Sequence, residues 1–214
     1  MPLVLNHSEH IPGPAYSIRT RRLIIRCWNP TDASLLKTAI EESVEHLRPW
    51  MPWAHNEPEE FQRKIERIRL WRSQFDAGRD FVYGIFNQDE SRVLGGTGLH
   101  TRAGEGAREI GYWIHKDYLN VGLATEVACA LTRVAFEIDH VKRIEIHCQP
   151  ENVRSAAIPR KLGYSYEGTL HKRAPFLDRM VDSMIWTLFA EDYPKTPCAS
   201  AELEAFDVIG RRIL

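Results

Sequence analysis

Two rhythms of apolar residues run along the chain. Leu35, Leu36, Ile40 and Val44 recur at helical spacing behind Asn29-Pro30-Thr31-Asp32, a helix-start signal. Phe61, Ile65, Ile68, Trp71 and Phe75 predict a second helix, opened by Asn56-Glu57-Pro58 and closed by Gly78. Between the two lies Leu47-Arg48-Pro49-Trp50-Met51-Pro52-Trp53, a proline-punctuated aromatic loop. Residues 17–27, with Leu23-Ile24-Ile25 set between arginines, predict a first strand. Residues 81–86, 93–100 and 109–114 predict three members of an antiparallel meander. A long helix is expected from Asn120-Val121-Gly122-Leu123-Ala124 to about residue 138, then a short strand at 143–148. A helix at 152–162 ends at Gly163, and strands at 164–171 and 182–188 close the order. After the proline-rich stretch 194–197, Leu203, Phe206, Ile209 and Ile213 predict a short amphipathic helix that docks on the domain or on a partner chain.

This order predicts an α/β domain (α+β mixed sheet) whose sheet is partly antiparallel. Its expected limits are 17–193, with an N-terminal extension at 1–16 and a C-terminal tail at 194–214. The 214 residues are 43% hydrophobic and 27% charged, enough for one sizeable core. A net charge of −1 gives no overall electrostatic case for nucleic acid or an anionic membrane. Residues 1–16 lack the basic start and apolar run of a signal peptide, and no segment is long and apolar enough to span a bilayer. Cys27, Cys129, Cys148 and Cys198 form no CxxC pair and are read as reduced thiols of a cytoplasmic protein. No histidine pair has helical metal-site spacing, so no catalytic metal is expected.

The chemistry concentrates where a predicted strand meets a predicted helix. Val121-Gly122-Leu123-Ala124-Thr125-Glu126 is a small-residue loop running into a helix start, where unpaired N–H groups and the helix dipole favour an anion. The pattern is neither GxGxxG nor GxxxxGK[ST], so neither Rossmann nor P-loop chemistry is indicated. Read together, Gly111-Tyr112-Trp113-Ile114, then Gly122-Leu123-Ala124-Thr125-Glu126, Asn152-x-x-Ser155, Lys161-Leu162-Gly163-Tyr164 and Glu167-Gly168 resemble the GNAT superfamily of acetyltransferases. The resemblance covers about residues 17 to 190. It is strongest to the RimJ/RimL branch of N-terminal protein acetyltransferases, which the early Leu-Arg-Pro-Trp-Met-Pro-Trp stretch also resembles.

The resemblance implies a GNAT fold with splayed central strands and acetyl-CoA as cosubstrate. It implies that Val121, Gly122, Leu123, Ala124 and Thr125 hold the pyrophosphate through backbone amides. It places the pantetheine arm against Trp113, Ile114 and His115, with Asn152 hydrogen-bonded to it. Lys116, Arg160 and Lys161 are candidates for the 3′-phosphate. Pro159 stands where many relatives carry a tyrosine acid, and the RimJ/RimL branch implies Ser155 as the group that meets the leaving sulfur. A backbone N–H near residues 113–115 is expected to hold the thioester oxygen. For the general base, Glu109 leads, with Glu167, Asp178 and His147 left open. Trp50 and Trp53 are expected to wall the acceptor site. An α-amino group, with pKa about 8, needs less help to become neutral than a lysine at about 10.4. This favours an N-terminal α-amine or a small-molecule amine over internal lysines, and the resemblance to the RimJ/RimL branch implies a protein or peptide N-terminus. A small-molecule amine, a non-catalytic CoA-ester sensor and a homodimer stay open.

Overall fold

The computed structural model describes residues 14–214, so most of the N-terminal extension expected at 1–16 lies outside the described residues. Among them are four α-helices and one nine-stranded sheet in the order β7-β8-β6-β5-β4-β3-β2-β1-β9. The strands are β1 (Ser17–Arg19), β2 (Ile24–Cys27), β3 (Phe81–Phe86), β4 (Val93–His100), β5 (Ala107–Ile114), β6 (Arg143–Cys148), β7 (Ser165–Phe176), β8 (Arg179–Phe189) and β9 (Glu204–Phe206). The helices are α1 (Ala33–Leu47), α2 (Phe61–Asp76), α3 (Leu123–Glu137) and α4 (Val153–Lys161). Every named pairing is antiparallel except β5 with β6.

The two faces of the sheet carry separate cores. Ile110 and Ile114 of β5 pack with Val127, Leu131 and Val134 of α3 on one face. On the other, Leu36 and Ile40 of α1 and Ile68 of α2 pack with Trp28 and Phe86, and Trp113 lies against this cluster. Period-two alternation along β5 therefore sends Trp113 towards α1 and α2, and Ile110 and Ile114 towards α3. The start of α1 follows its sequence signal. Asn29 Oδ1 accepts the Thr31 N–H at 3.1 Å, and Asp32 Oδ2 accepts the Asn29 N–H at 2.8 Å, a capping box on a 3-10 turn that leads into the helix.

Four expectations are corrected. The first strand is two, because Thr20 and Leu23 close a tight turn (Thr20 N–H to Leu23 O, 3.0 Å) and fold β1 onto β2. The helix expected from residue 56 begins at Phe61; Pro52–Asn56 forms its own 3-10 turn, and Phe61 is exposed. The closing strands are longer than expected, forming one extended hairpin. The tail is a strand rather than a helix. Residues Glu204–Phe206 pair antiparallel with β1, burying Ala205 completely, while Ile209 is 71% exposed. Asp207 drives that outcome: its carboxylate accepts the N–H groups of Ile209 and Arg211 and turns the chain back, so that Ile213 N–H reaches Ala205 O at 2.8 Å.

One buried charge fixes the aromatic loop. Lys64 of α2 has no solvent exposure and pairs with Glu57, and with Glu59 at 3.0 Å, both just before the helix. Glu59 also pairs with Arg67. Removing one member of a buried pair strands the others. Lys64→Met should lower unfolding free energy by about 3–5 kcal/mol. Adding Glu57→Gln and Glu59→Gln should restore part of it, read by urea denaturation. Equal stability of Lys64→Met and wild type would contradict this role.

Candidate active site

The parallel pairing of β5 and β6 covers three registers only: Ala107↔Arg143, Arg108↔Ile144 and Glu109↔Glu145. Beyond them the strands part, β5 remaining paired to β4 through Ile114 and β6 to β8 through Cys148. Backbone polarity along β5 then decides which groups face the gap. His115 N–H donates to Leu94 O of β4 at 2.8 Å, so by alternation the N–H groups of Tyr112 and Ile114 point away from β4, towards the gap. Among residues 113–115 this leaves Ile114 as the donor facing the gap: His115 is engaged by β4, and Trp113, two residues before it, points its N–H the same way. The His115 imidazole is buried. Its Nε2 lies 2.8 Å from Glu42, and its Nδ1 accepts the Asp117 N–H at 3.2 Å. Glu42, His115 and Asp117 bring potential metal-ligand atoms within 4.8 Å of one another, in an arrangement these hydrogen bonds and the Lys116–Asp117 ion pair already account for.

Helix α3 begins where the gap opens. Gly122 is its N-cap, with a left-handed φ of +84° and no side-chain cap. The first helical hydrogen bond among its turns is Glu126 N–H to Gly122 O at 3.1 Å, so the N–H groups of Leu123, Ala124 and Thr125 lie ahead of the ladder. A Cβ at Gly122 would find its nearest neighbour, Arg22 Nη2, at 3.7 Å. Arg22 was not singled out in the sequence. It is anchored by Glu126 (Nε to Oε2, 2.7 Å) and by Val121 O (2.9 Å), which sets a half-exposed guanidinium beside the helix start. Only the β1–β2 hairpin brings residue 22 to residue 122, and the sequence carried no sign of it beyond a run of arginines. An edge that offers the Tyr112 and Ile114 N–H groups, its Ile114 carbonyl already 3.0 Å from His46 Nε2, and that ends at uncapped N–H groups and a cation, fits an arm that finishes in a pyrophosphate.

Ser155 and Asn152 stand on the α3 face of the gap. Asn152 Oδ1 accepts the Ser155 N–H at 3.1 Å, capping α4. Ser155 Oγ lies 3.1 Å from Tyr112 OH, which joins the helix to β5 across the opening. Tyr112 was missed because its partner is distant in sequence. Burial pushes its phenol well above the usual tyrosine range, with the Ser155 hydrogen bond acting weakly the other way. Burial likewise raises the Cys148 thiol, so it stays protonated. Lys161 is exposed in the last turn of α4, at the opposite end from Ser155, and Arg160 stacks over Trp186 at 5.6 Å.

The α1–α2 face carries the acidic and aromatic groups. Glu109 is held by Arg102 (Nε to Oε2, 2.8 Å), with His147 Nδ1 at 3.7 Å. Burial alone would raise its carboxyl; the Arg102 hydrogen bonds and charge, with His147 and His100 beyond, outweigh burial and hold it below the usual carboxylate value. His147 Nε2 lies 2.8 Å from Glu145. Glu167 is exposed on β7, the outer edge of the sheet, and Asp178 sits in the β7–β8 turn, so neither lines the gap from β5 or β6. Trp53 meets Trp113 edge-on at 6.1 Å, and His55 meets Phe176 at 6.0 Å, so the aromatic loop reaches the β7–β8 hairpin. Trp50 is half-buried in the same loop.

A folded-state pKa depressed by Arg102 adds stability above the unfolded carboxyl pKa of about 4.3 and loses it as pH falls through the folded value. In Arg102→Ala burial, which raises the folded pKa, is opposed only by the more weakly acting His147 and His100. The stability deficit of Arg102→Ala should therefore be largest near neutral pH and shrink below about pH 4. Denaturation curves across that window check it; a deficit independent of pH would contradict the pairing.

The family model described as an acetyltransferase (GNAT) domain matches residues 22–165. The [ribosomal protein uS5]-alanine N-acetyltransferase of Escherichia coli (strain K12) is 29% identical over 160 residues, covering 72% of this chain and 81% of the relative. The Mycobacterium smegmatis RimJ structure in complex with CoA-disulfide superposes with a TM-score of 0.72 at 20% identity, covering 88% of this chain and 92% of that one. The microcin C7 self-immunity acetyltransferase MccE, solved with acetyl-CoA and AMP, superposes with a TM-score of 0.73 at 17% identity, over 79% and 93% of the two chains. With the GNAT fold and that family match, the chain belongs to the GNAT acetyltransferase family and is an acetyl-CoA-dependent acyltransferase.

Proposed function

We propose that the protein transfers the acetyl group of acetyl-CoA to the α-amino group of a protein or peptide N-terminus. The observation that carries the reading is the parting of β5 from β6 after Glu109, with the uncapped start of α3 at its mouth. Acetyl-CoA supplies an activated acetyl thioester. The chain's own part is to hold and polarise. The Tyr112 and Ile114 N–H groups offer hydrogen bonds to a carbonyl oxygen in the gap. The N–H groups of Leu123, Ala124 and Thr125, with Arg22 beside them, hold the pyrophosphate. Ser155, fixed by Asn152 and Tyr112, offers its hydroxyl to the departing sulfur from the α3 face. A thiol pKa of about 8.5 makes that thiolate a fair leaving group, so one hydrogen bond suffices.

The amine enters from the other face, between Trp53–Trp113 and the Glu109–Arg102 pair. Aromatic faces and a fixed carboxylate favour a cationic end group. An α-amine is the acceptor that asks least of a base. The similarity to the uS5-alanine N-acetyltransferase supports the same acceptor class.

Two variants separate binding from chemistry. Gly122→Ala and Gly122→Glu both strain the left-handed backbone, but only glutamate adds a negative charge at the anion site. Calorimetry should show acetyl-CoA binding retained in the first and lost in the second. Ser155→Ala should slow turnover of an N-terminal peptide about 10- to 100-fold while acetyl-CoA affinity holds. Unchanged binding by Gly122→Glu, or unchanged turnover by Ser155→Ala, would overturn the respective assignment.

A further inference from the structure

We propose that His100, oriented by Asp80, is the general base that takes the acceptor's proton. The inference rests on the acetyl-transfer reading above and adds a residue to it. Strand β4 ends at His100, cross-strand from Glu109 on β5. Strand β3 begins at Phe81, cross-strand from Leu99, so Asp80 falls beside His100 at the next register. Both Asp80 oxygens lie close to His100 Nδ1, at 3.1 and 3.0 Å. Asp80 also accepts the Thr101 N–H at 3.3 Å. Burial would raise the Asp80 carboxyl, but His100, Thr101 and Arg102 hold it below the usual carboxylate value. An ionised carboxylate only accepts hydrogen bonds, so in neutral His100 the proton sits on Nδ1 and the lone pair on Nε2.

That lone pair lies over the reacting part of the sheet. Gly98 and Gly111 face each other across β4 and β5, and the imidazole covers them. A Cβ at Gly98 would stand 2.7 Å from Nε2, and one at Gly111 3.4 Å from it. A side chain at Gly98 would displace the ring, whereas a Cβ at Gly111 would only touch it, so Gly98 makes its seat. Gly111 lies just past the last β5–β6 pair, and Tyr112, the next residue, points its N–H into the gap. His100 shares the face of Glu109 and Trp113, opposite to Ser155. Base and sulfur partner thus flank the gap from its two sides. Nε2 has no hydrogen-bond partner among the described residues, and the side chain is 19% exposed.

The other titratable groups on this face are engaged. Arg102, from the 3-10 turn after β4, holds Glu109 of β5. His147 of β6 gives its Nε2 to Glu145, and Glu145 is also bound by Arg143 at 2.8 Å. Of the charged groups, strand pairing sets Glu109 and Asp80 directly beside His100. The step balances simply. The acceptor's ammonium gives one proton to His100 Nε2, and the freed electron pair on nitrogen forms the C–N bond. The C–S bond breaks with its pair on sulfur, and the amine's second proton reaches the sulfur through the Ser155 hydroxyl. The imidazolium returns its proton to water.

The test uses the full-length protein, acetyl-CoA and an N-terminal peptide. His100→Gln should lower kcat at neutral pH about 100-fold or more. Its acetyl-CoA affinity by calorimetry should stay within about twofold, and its deficit should narrow as pH passes the acceptor's own pKa of about 8. Asp80→Asn should cost about tenfold, because the imidazole loses its orienting anion. Nitrogen NMR of labelled histidine in the wild type should show neutral His100 protonated on Nδ1. A His100→Gln deficit under about threefold, a larger deficit that does not change with pH, or an Nε2-protonated tautomer would overturn the proposal. Wild-type protein that turned over the peptide while His100→Gln matched it would sink the base assignment alone. Wild-type protein that bound no acetyl-CoA would sink the acetyl-transfer reading beneath it.

Discussion

The molecule depends on a break in its own sheet. Strands β5 and β6 pair parallel for three registers and then part, each kept in place by its other neighbour. Backbone N–H and C=O groups removed from a ladder must find partners elsewhere. At the apex of the break, charged side chains bind the strands together. Arg102 holds Glu109, His147 stands between Glu109 and Glu145, and Arg143 holds Glu145. Past the apex, Tyr112 reaches across to Ser155 of α4. The opening is thus propped as well as permitted.

From that break follows a division of labour between the two faces. The α3 face carries the capped start of α4, with Ser155 held by Asn152 and Tyr112. The opposite face carries acidic groups, two tryptophans and the His100–Asp80 pair. Gly98 of β4 serves this arrangement, because a side chain there would take the place of the imidazole. The buried Lys64, with Glu57 and Glu59, fixes the loop that bears Trp53.

Much of this was legible along the chain. Strands β3, β4 and β6 match their predicted limits, since each is a β-rich run bounded by turn residues. The helix start at Gly122 and the Asn152–Ser155 cap of α4 were legible because each is a local pattern at a helix N-terminus. The tail was misread because Leu203, Phe206 and Ile213 satisfy a helical spacing, and the Asp207 turn that reverses the chain is a tertiary fact. Glu109 was found by alternation along β5, but its ion pair with Arg102 depends on a cross-sheet turn. Arg22, Tyr112 and the His100–Asp80 pair were out of reach for the same reason. Each acts on a residue that only the folded chain brings near, 20 positions away for His100 and further for the others.

The claim on which the rest stands is that the parted strand edge receives the arm of acetyl-CoA. Amide hydrogen exchange at Tyr112 and Ile114, with and without CoA, tests it most directly. If the arm pairs with that edge, CoA should slow exchange at both amides, and at Leu123 and Ala124 where α3 begins. Exchange at Tyr112 and Ile114 that stayed unchanged under saturating CoA would contradict the site.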